Sequence, residues 1–221
     1  MHEIAAIVRK DVRIELRSRV VITQVLPFAM IVLILFGLAL DADRSTLRSF
    51  TPGLFWVTVL FASILAIQRS VSVETAASAF EALRLSGAAG WKVFVGKAVA
   101  VAAQLIAIET AMLGGVIVFY RSSVDEVVLL VTSALAATLA IAAAGSLYGV
   151  LAVGSGVRDT ILPMLLLPIL APVLVAATRA FGDAMGATAV NGWSWCALLA
   201  CFALLYGLVG GIAYGVVLED A

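Results

Sequence analysis

Histidine and cysteine are almost missing from this chain: His2 is the only histidine, and Cys196 and Cys201 are the only cysteines. With one histidine near the N-terminus, a Ser-His dyad, a His-x-x-x-His zinc site and paired haem-ligating histidines are all excluded. The two cysteines lie five apart on one predicted helix, where their side chains diverge. They cannot readily bridge each other, and they read as small buried hydrophobes. A phosphate-cradling loop is missing too. Gly96-Lys97 is followed by Ala98, and Trp91 stands where the first glycine of Gly-x-x-x-x-Gly-Lys-[Ser/Thr] belongs. The sequence therefore predicts no catalytic residue, no metal site and no directly bound cofactor, and any ATP is used by another polypeptide. Charge is also scarce, at 13% of residues against about 25% in soluble proteins. Its 14 basic and 14 acidic residues balance, which gives no reason to expect a nucleic-acid partner.

What the chain has instead is oil. Hydrophobic residues make up 63% of its 221 positions, well above the roughly 45–50% of soluble domains. Uncharged runs occupy 20–40, 49–68, 127–157, 160–178 and 184–218, with 98–120 broken only by Glu109. Runs of about 20 apolar residues match a hydrocarbon core of about 30 Å. The expectation is an all-α polytopic membrane protein with six spans, at about 20–40, 49–68, 97–119, 127–153, 160–178 and 193–216. The first 19 residues are charged and the next run exceeds an h-region of about 7–15 residues, so the first span is expected to stay in the mature protein rather than leave with a signal peptide.

Basic residues orient these spans. Arg9, Lys10, Arg13, Arg17 and Arg19 precede the first; Arg69, Arg84, Lys92 and Lys97 lie between the second and third; Arg158 follows the fourth. The opposite loops, roughly 41–48, 121–126 and 179–192, hold only Arg44, Arg48, Arg121 and Arg179. The positive-inside rule then places both termini in the cytoplasm of a plasma (inner) membrane protein. On a helix, Arg9, Lys10, Arg13 and Arg17 gather on one side, and Ile4, Ile7, Val8, Val12, Ile14 and Leu16 fill most of the other. Segment 1–19 is predicted to be an amphipathic elbow helix in the cytoplasmic interface, beside membrane lipid.

Two cytoplasmic stretches are candidates for docking a partner. Asp11 and Glu15 fall within the apolar sector of the elbow helix, where they pair with neighbouring arginines or meet a partner subunit. The connection from Arg69 to Trp91 contains Ala/Glu/Leu/Arg-rich sequence before Gly87 and Gly90, which predicts a helix over about 74–86. Its candidate docking residues are Arg69, Glu74, Phe80, Glu81 and Leu83.

Inside the membrane, Glu109 is either a packing carboxyl or a group on a substrate or coupling path, since an unpaired acid there costs about 2.5–3.5 kcal/mol. Pro163, Pro168 and Pro172 predict kinks in the fifth span. Gly145 with Gly149, and Gly207 with Gly211 and Gly215, have the spacing of close helix crossings.

The chain resembles the CcmB family, the membrane subunit of the cytochrome c maturation (haem exporter) ABC transporter. The resemblance is carried by Arg9-Lys10-Asp11-Val12-Arg13-Ile14-Glu15-Leu16-Arg17, Pro52-Gly53-Leu54-Phe55-Trp56, Arg69-Ser70, Glu74, Phe80-Glu81-Ala82-Leu83, Gly96-Lys97, and Leu162-Pro163 through Leu167-Pro168 to Pro172. It implies a type-2 ABC exporter half, with two copies joined to two CcmA-like ATPase subunits. The implied further partners are CcmC-like and CcmD-like membrane proteins and a CcmE-like haem chaperone, with haem as cargo of the complex. A generic ABC-2 permease for a drug, lipid or polysaccharide shares the six-span plan. A membrane scaffold, or an ion-coupled carrier using Glu109, stands as an alternative of another class.

Overall fold

A backbone in hydrocarbon must satisfy its own N–H and C=O groups, and each apolar run duly becomes a helix. The computed structural model describes residues 2–18, 21–39, 44–76, 89–153 and 158–220, among which there is no strand. Helix α1 is His2–Ser18; a π-helical turn over Val21–Val25 leads into α2, Leu26–Ala39. The remainder are α3 (Arg44–Ala76), α4 (Gly90–Tyr120), α5 (Val127–Val153), α6 (Arg158–Ala184) and α7 (Gly192–Asp220). Five of them, α3 to α7, are long and apolar enough to cross a bilayer, and Thr23–Ala39 is a shorter apolar helix. The π turn precedes Pro27, which has no N–H to return to the carbonyl four residues back, so the winding widens there.

Helix limits overrun the uncharged runs. Charge spacing predicts 49–68, 97–119 and 160–178, whereas the helices are Arg44–Ala76, Gly90–Tyr120 and Arg158–Ala184. Charges mark the edge of the hydrocarbon, while helical hydrogen bonding continues into the headgroup layer. Arg48 and Arg179, expected in external loops, are therefore helical. Residues 74–76 continue α3, and 77–88 of the expected 74–86 helix lie outside the described residues.

Helix α5 is the hub. Ala137, Ala140, Ile141, Ala142 and Ala144 are wholly buried in it, because small residues let neighbouring backbones come close. Gly145 and Gly149 take the side chains of Ile67 and Val71 from α3; an added Cβ would lie 2.3 Å and 2.8 Å from them. The α7 glycine stripe departs from expectation. Positions 207 and 215 would point a Cβ into open space, and it is Gly210 that receives the Phe94 ring, 2.2 Å from a notional Cβ. Spacing gives the stripe but not the direction of the neighbour. Gly215 contributes through its backbone, which lies against Gly90.

The three prolines of α6 leave one continuous helix. Pro172 denies a donor to the carbonyl of Pro168, and at the adjacent carbonyl Tyr206 Oη of α7 donates to Ile169 O at 2.9 Å. A neighbouring helix thus supplies hydrogen bonding where the backbone is opened. At the other side of the bundle, the Tyr120 hydroxyl donates to Leu33 O, which ties α2 to α4.

Near one end of the bundle, Phe55 and Phe181 stack at 4.7 Å and 14°, and Trp56 meets Phe181 edge-on at 5.8 Å and 82°. All three are fully buried. Pro52-Gly53-Leu54-Phe55-Trp56 is thereby an internal part of α3 that fastens it to α6. In lipid the usual transfer gain is small, since acyl tails solvate an exposed ring. What Phe181→Ala loses is two ring pairs, each about 0.5–1.5 kcal/mol, plus the void left behind. We expect Phe181→Ala to cost about 2 kcal/mol in unfolding from detergent micelles, with Phe202→Ala, at a half-buried position, costing less. Equal costs would show that the cluster is not what joins α3 to α6.

Candidate partner-docking site

Helix α1 and the Ala76 end of α3 come to the same end of the bundle. Ile7, on the apolar side of α1, is buried in a cluster with Val93, Phe94, Ala143, Leu147 and Tyr214. These are the first turns of α4, the last turns of α5 and the end of α7. Its seat is Gly96: an added Cβ would lie 2.8 Å from Ile7 Cγ2, so a side chain there would evict it. The Gly96-Lys97 pair acquires a structural reason in this way. Gly96 makes room for α1, and Lys97, itself buried, holds its ammonium 6.0 Å from the Tyr214 ring, a cation–π distance. Helix α3 meets the same last turns of α5, through Ile67 and Val71.

The sides of α1 sort as its periodicity predicts over its first three turns, whereas Ile14, expected on the apolar side, is exposed. Arg9, Lys10, Arg13 and Arg17 are exposed, and Ile4, Val8 and Val12 are half-buried around Ile7. Asp11 is half-buried and pairs at 3.1 Å with Lys10, not with an arginine. Glu15 lies on α1, but its side chain is outside the described residues, as is that of Glu74 near the end of α3. Arg69 is exposed on α3. Phe80, Glu81 and Leu83 fall outside the described residues, so the structure brings together α1 and the end of α3 only.

Glu109 lies elsewhere, about 16 Å along α4 from its Tyr120 end at 1.5 Å per residue. It is 6% exposed. Thr138 Oγ1 of α5 lies 2.8 Å from both carboxyl oxygens and 2.8 Å from Ala134 O. Pro163 is half-buried, whereas Pro168 and Pro172 are exposed.

Sequence spacing missed a latch at the opposite end. Asp125 N and Glu126 N, between α4 and α5, both donate to Ala184 O at 2.9 Å. From α3, Arg48 Nη2 donates to Met185 O at 2.9 Å and pairs with Asp125 Oδ2 at 3.1 Å. Gly186, at φ +60°, passes so close that a Cβ would fall 1.9 Å from Asp125 Oδ2. Asp183 Oδ2 accepts from Gly192 N at 2.8 Å, and the Asn191 side chain accepts from Ser194 N at the start of α7. Gly186 was the available signal, as a glycine between an apolar helix and a turn; its partners, more than 60 residues away, had none.

Among the described residues, no three His, Cys, Asp or Glu side chains gather as metal ligands. Cys196 is half-buried, Cys201 is exposed, and both are free thiols. The helices and this site together define a multi-pass helical membrane subunit whose conspicuous polar structure lies at its two ends and at one intramembrane carboxyl. The family model described as CcmB protein matches residues 2–220. The chain belongs to the CcmB family, which makes it a membrane subunit of the haem exporter ABC transporter in cytochrome c biogenesis. That system has an ATPase partner and is placed in the inner membrane. No curated protein matches the sequence.

Proposed function

We propose that this chain couples ATP hydrolysis on a separate CcmA-like subunit to haem handling or to release of a CcmE-like haem chaperone. The observation that carries the reading is the convergence of α1 and the end of α3 on the last turns of α5, with Ile7 seated on Gly96. A membrane subunit driven by another chain needs a rigid receiving surface, and two helices fixed to one hub provide it. On this reading α1 is an elbow helix in the cytoplasmic interface, the Thr23–Ala39 helix belongs to a sixth span, and both termini are cytoplasmic. The 74–86 segment and α1 receive the ATPase stroke and pass it to α2, α3 and α6, whose prolines form bends. Two copies act with two ATPases, alongside CcmC-like and CcmD-like partners. The exposed arginines of α1 hold it against anionic lipid, at about 1 kcal/mol per cation.

Glu81→Lys with Phe80→Ala is expected to reduce co-purification of the ATPase in mild detergent at least several-fold, while the chain still inserts. Undiminished recovery with unchanged ATP turnover would reject 74–86 as the receiving segment. Gly96→Leu tests the other half by displacing Ile7, with the same loss expected.

A further inference from the structure

The Glu109 carboxyl borders a cavity of about 130 Å³. The buried rings of Phe55 and Phe181 form its floor, and Ile106, Thr110, Val131 and Leu135 lie around its mouth. Those four mouth residues are exposed on α4 and α5, so the cavity opens sideways, toward lipid. We propose that Glu109 is a neutral carboxylic acid that donates its proton to Thr138, and that the cleft makes it a modification site for lipid-soluble electrophiles of the carbodiimide class.

Proton counting is the first reason. Thr138 Oγ1 has one proton and three oxygens at 2.8 Å, namely Ala134 O and both carboxyl oxygens of Glu109. Thr51, Thr58, Thr110 and Thr132 each give their hydroxyl proton to the carbonyl four residues back, at 2.7 or 2.8 Å, a familiar habit of threonine within helices. Thr138 stands in the same relation to Ala134 O. With its proton placed there, only lone pairs of the hydroxyl face Glu109. An ionised carboxylate has no proton to offer, whereas the neutral acid has one O–H donor. That donor completes a chain from Glu109 through Thr138 to Ala134 O. The second carboxyl oxygen lies equally near because the two oxygens share one carbon.

The surroundings are the second reason. A carboxylate removed from water needs a partner charge. The other residues lining the cavity come from α3, α4, α5 and α6, and none of them is titratable. Thr110, the other polar residue there, spends its proton on Ile106 O. The cavity therefore offers the carboxyl no cation, and a neutral acid needs none.

Reactivity follows from the proton and the opening together. A carbodiimide takes the acid proton on one nitrogen while a carboxyl oxygen bonds to its central carbon and one C=N bond becomes single. Acyl migration to nitrogen then leaves a stable N-acylurea. Nothing departs, and no oxidant or reductant is needed. The cavity admits the N=C=N group, and apolar substituents stay in lipid beside the mouth. This site is remote from Ile7 and Gly96, so the inference is independent of the ATPase reading.

The test uses the full chain in lipid nanodiscs at neutral pH. Infrared difference spectra between the wild type and Glu109→Gln, whose amide can donate to Thr138 in the same way, should show the carbonyl stretch of an un-ionised carboxylic acid. Dicyclohexylcarbodiimide should add one reagent mass to the peptide that holds Glu109, several-fold faster than a water-soluble carbodiimide does. Leu135→Trp, which narrows the mouth, should slow that labelling several-fold and keep the carbonyl band. Carboxylate bands in the difference spectrum, or no adduct at Glu109, overturn the proposal. So does equal labelling by the two reagents, or labelling undiminished in Leu135→Trp, since either would mean that the reagent does not enter from lipid. If Glu109→Gln fails to fold, labelling of the wild type still decides, because the addition depends on the acid proton.

Discussion

Gly90→Val is expected to lower the unfolding free energy by about 3 kcal/mol, the upper part of the usual range for overpacking. A Cβ at this position would lie 2.5 Å from Gly215 Cα and 2.8 Å from Gly215 N. Most close glycines in the bundle face the ends of side chains that can rotate away. Here backbone meets backbone, so the only relief is to part α4 from α7. That movement also disturbs Phe94, Tyr214 and Ile7, which share one buried cluster. Gly207→Val supplies the control, because a Cβ there meets nothing within 4 Å and a surface change of this kind falls within about 0.5 kcal/mol. The measurement is thermal unfolding of both variants in one detergent. Indistinguishable midpoints would mean that the Gly90–Gly215 approach is not a tight one.

The Gly186→Val variant should be nearly as costly, again about 3 kcal/mol, but at the other end. Left-handed backbone costs a residue with a Cβ about 1–2 kcal/mol, and β branching aggravates it. The new side chain would also displace Asp125 and Arg48. The half-exposed ion pair itself is worth less than about 1 kcal/mol. More is lost when the Met185 carbonyl gives up its arginine donor, at about 1.5–3 kcal/mol for a charge-assisted bond. Hydrogen exchange separates this from global damage: protection should fall at Asp125, Glu126 and Ala187, whose N–H groups donate across the turn, and persist in the middle of α5. Uniform loss of protection would mean that the latch is not a local unit.

These two sites show where the sequence is informative. The helices were legible because hydrocarbon permits no alternative backbone arrangement, and the 127–153 prediction matches Val127–Val153. The Gly145 and Gly149 pair was legible for a similar reason: on a helix so rich in alanine, such a spacing has a close neighbour on almost any side. On α7 the same spacing misleads in part: Gly207 faces open space, Gly215 packs through its backbone against Gly90, and Gly210, outside the spacing, takes the Phe94 ring. The direction of a neighbour is a tertiary fact. The same holds for the site. Charge and periodicity separate Arg9, Lys10, Arg13 and Arg17 from Ile7, but that Ile7 lands on Gly96 depends on how α1 folds back. Arg48 looked like one more external charge because its partners are far along the chain. Glu109 was visible at once as an acid in oil, while Thr138 is one of many hydroxyls in apolar helices.

Helix α3 carries Arg48 near its start and Val71 near its finish within one hydrogen-bonded stretch, Arg44–Ala76. At 1.5 Å per residue it is about 50 Å long, longer than the hydrocarbon it crosses. It rests on Gly145 and Gly149 near its Ala76 end, and Pro52 is its one proline. Measured from that contact, the helix has a short arm toward Ala76 and a long arm toward Arg44. The long arm is fastened twice, by Phe55 and Trp56 against Phe181 and by Arg48 on the Met185 carbonyl, so a single unbroken stave ties the glycine contact at one face of the bundle to the turn at the other.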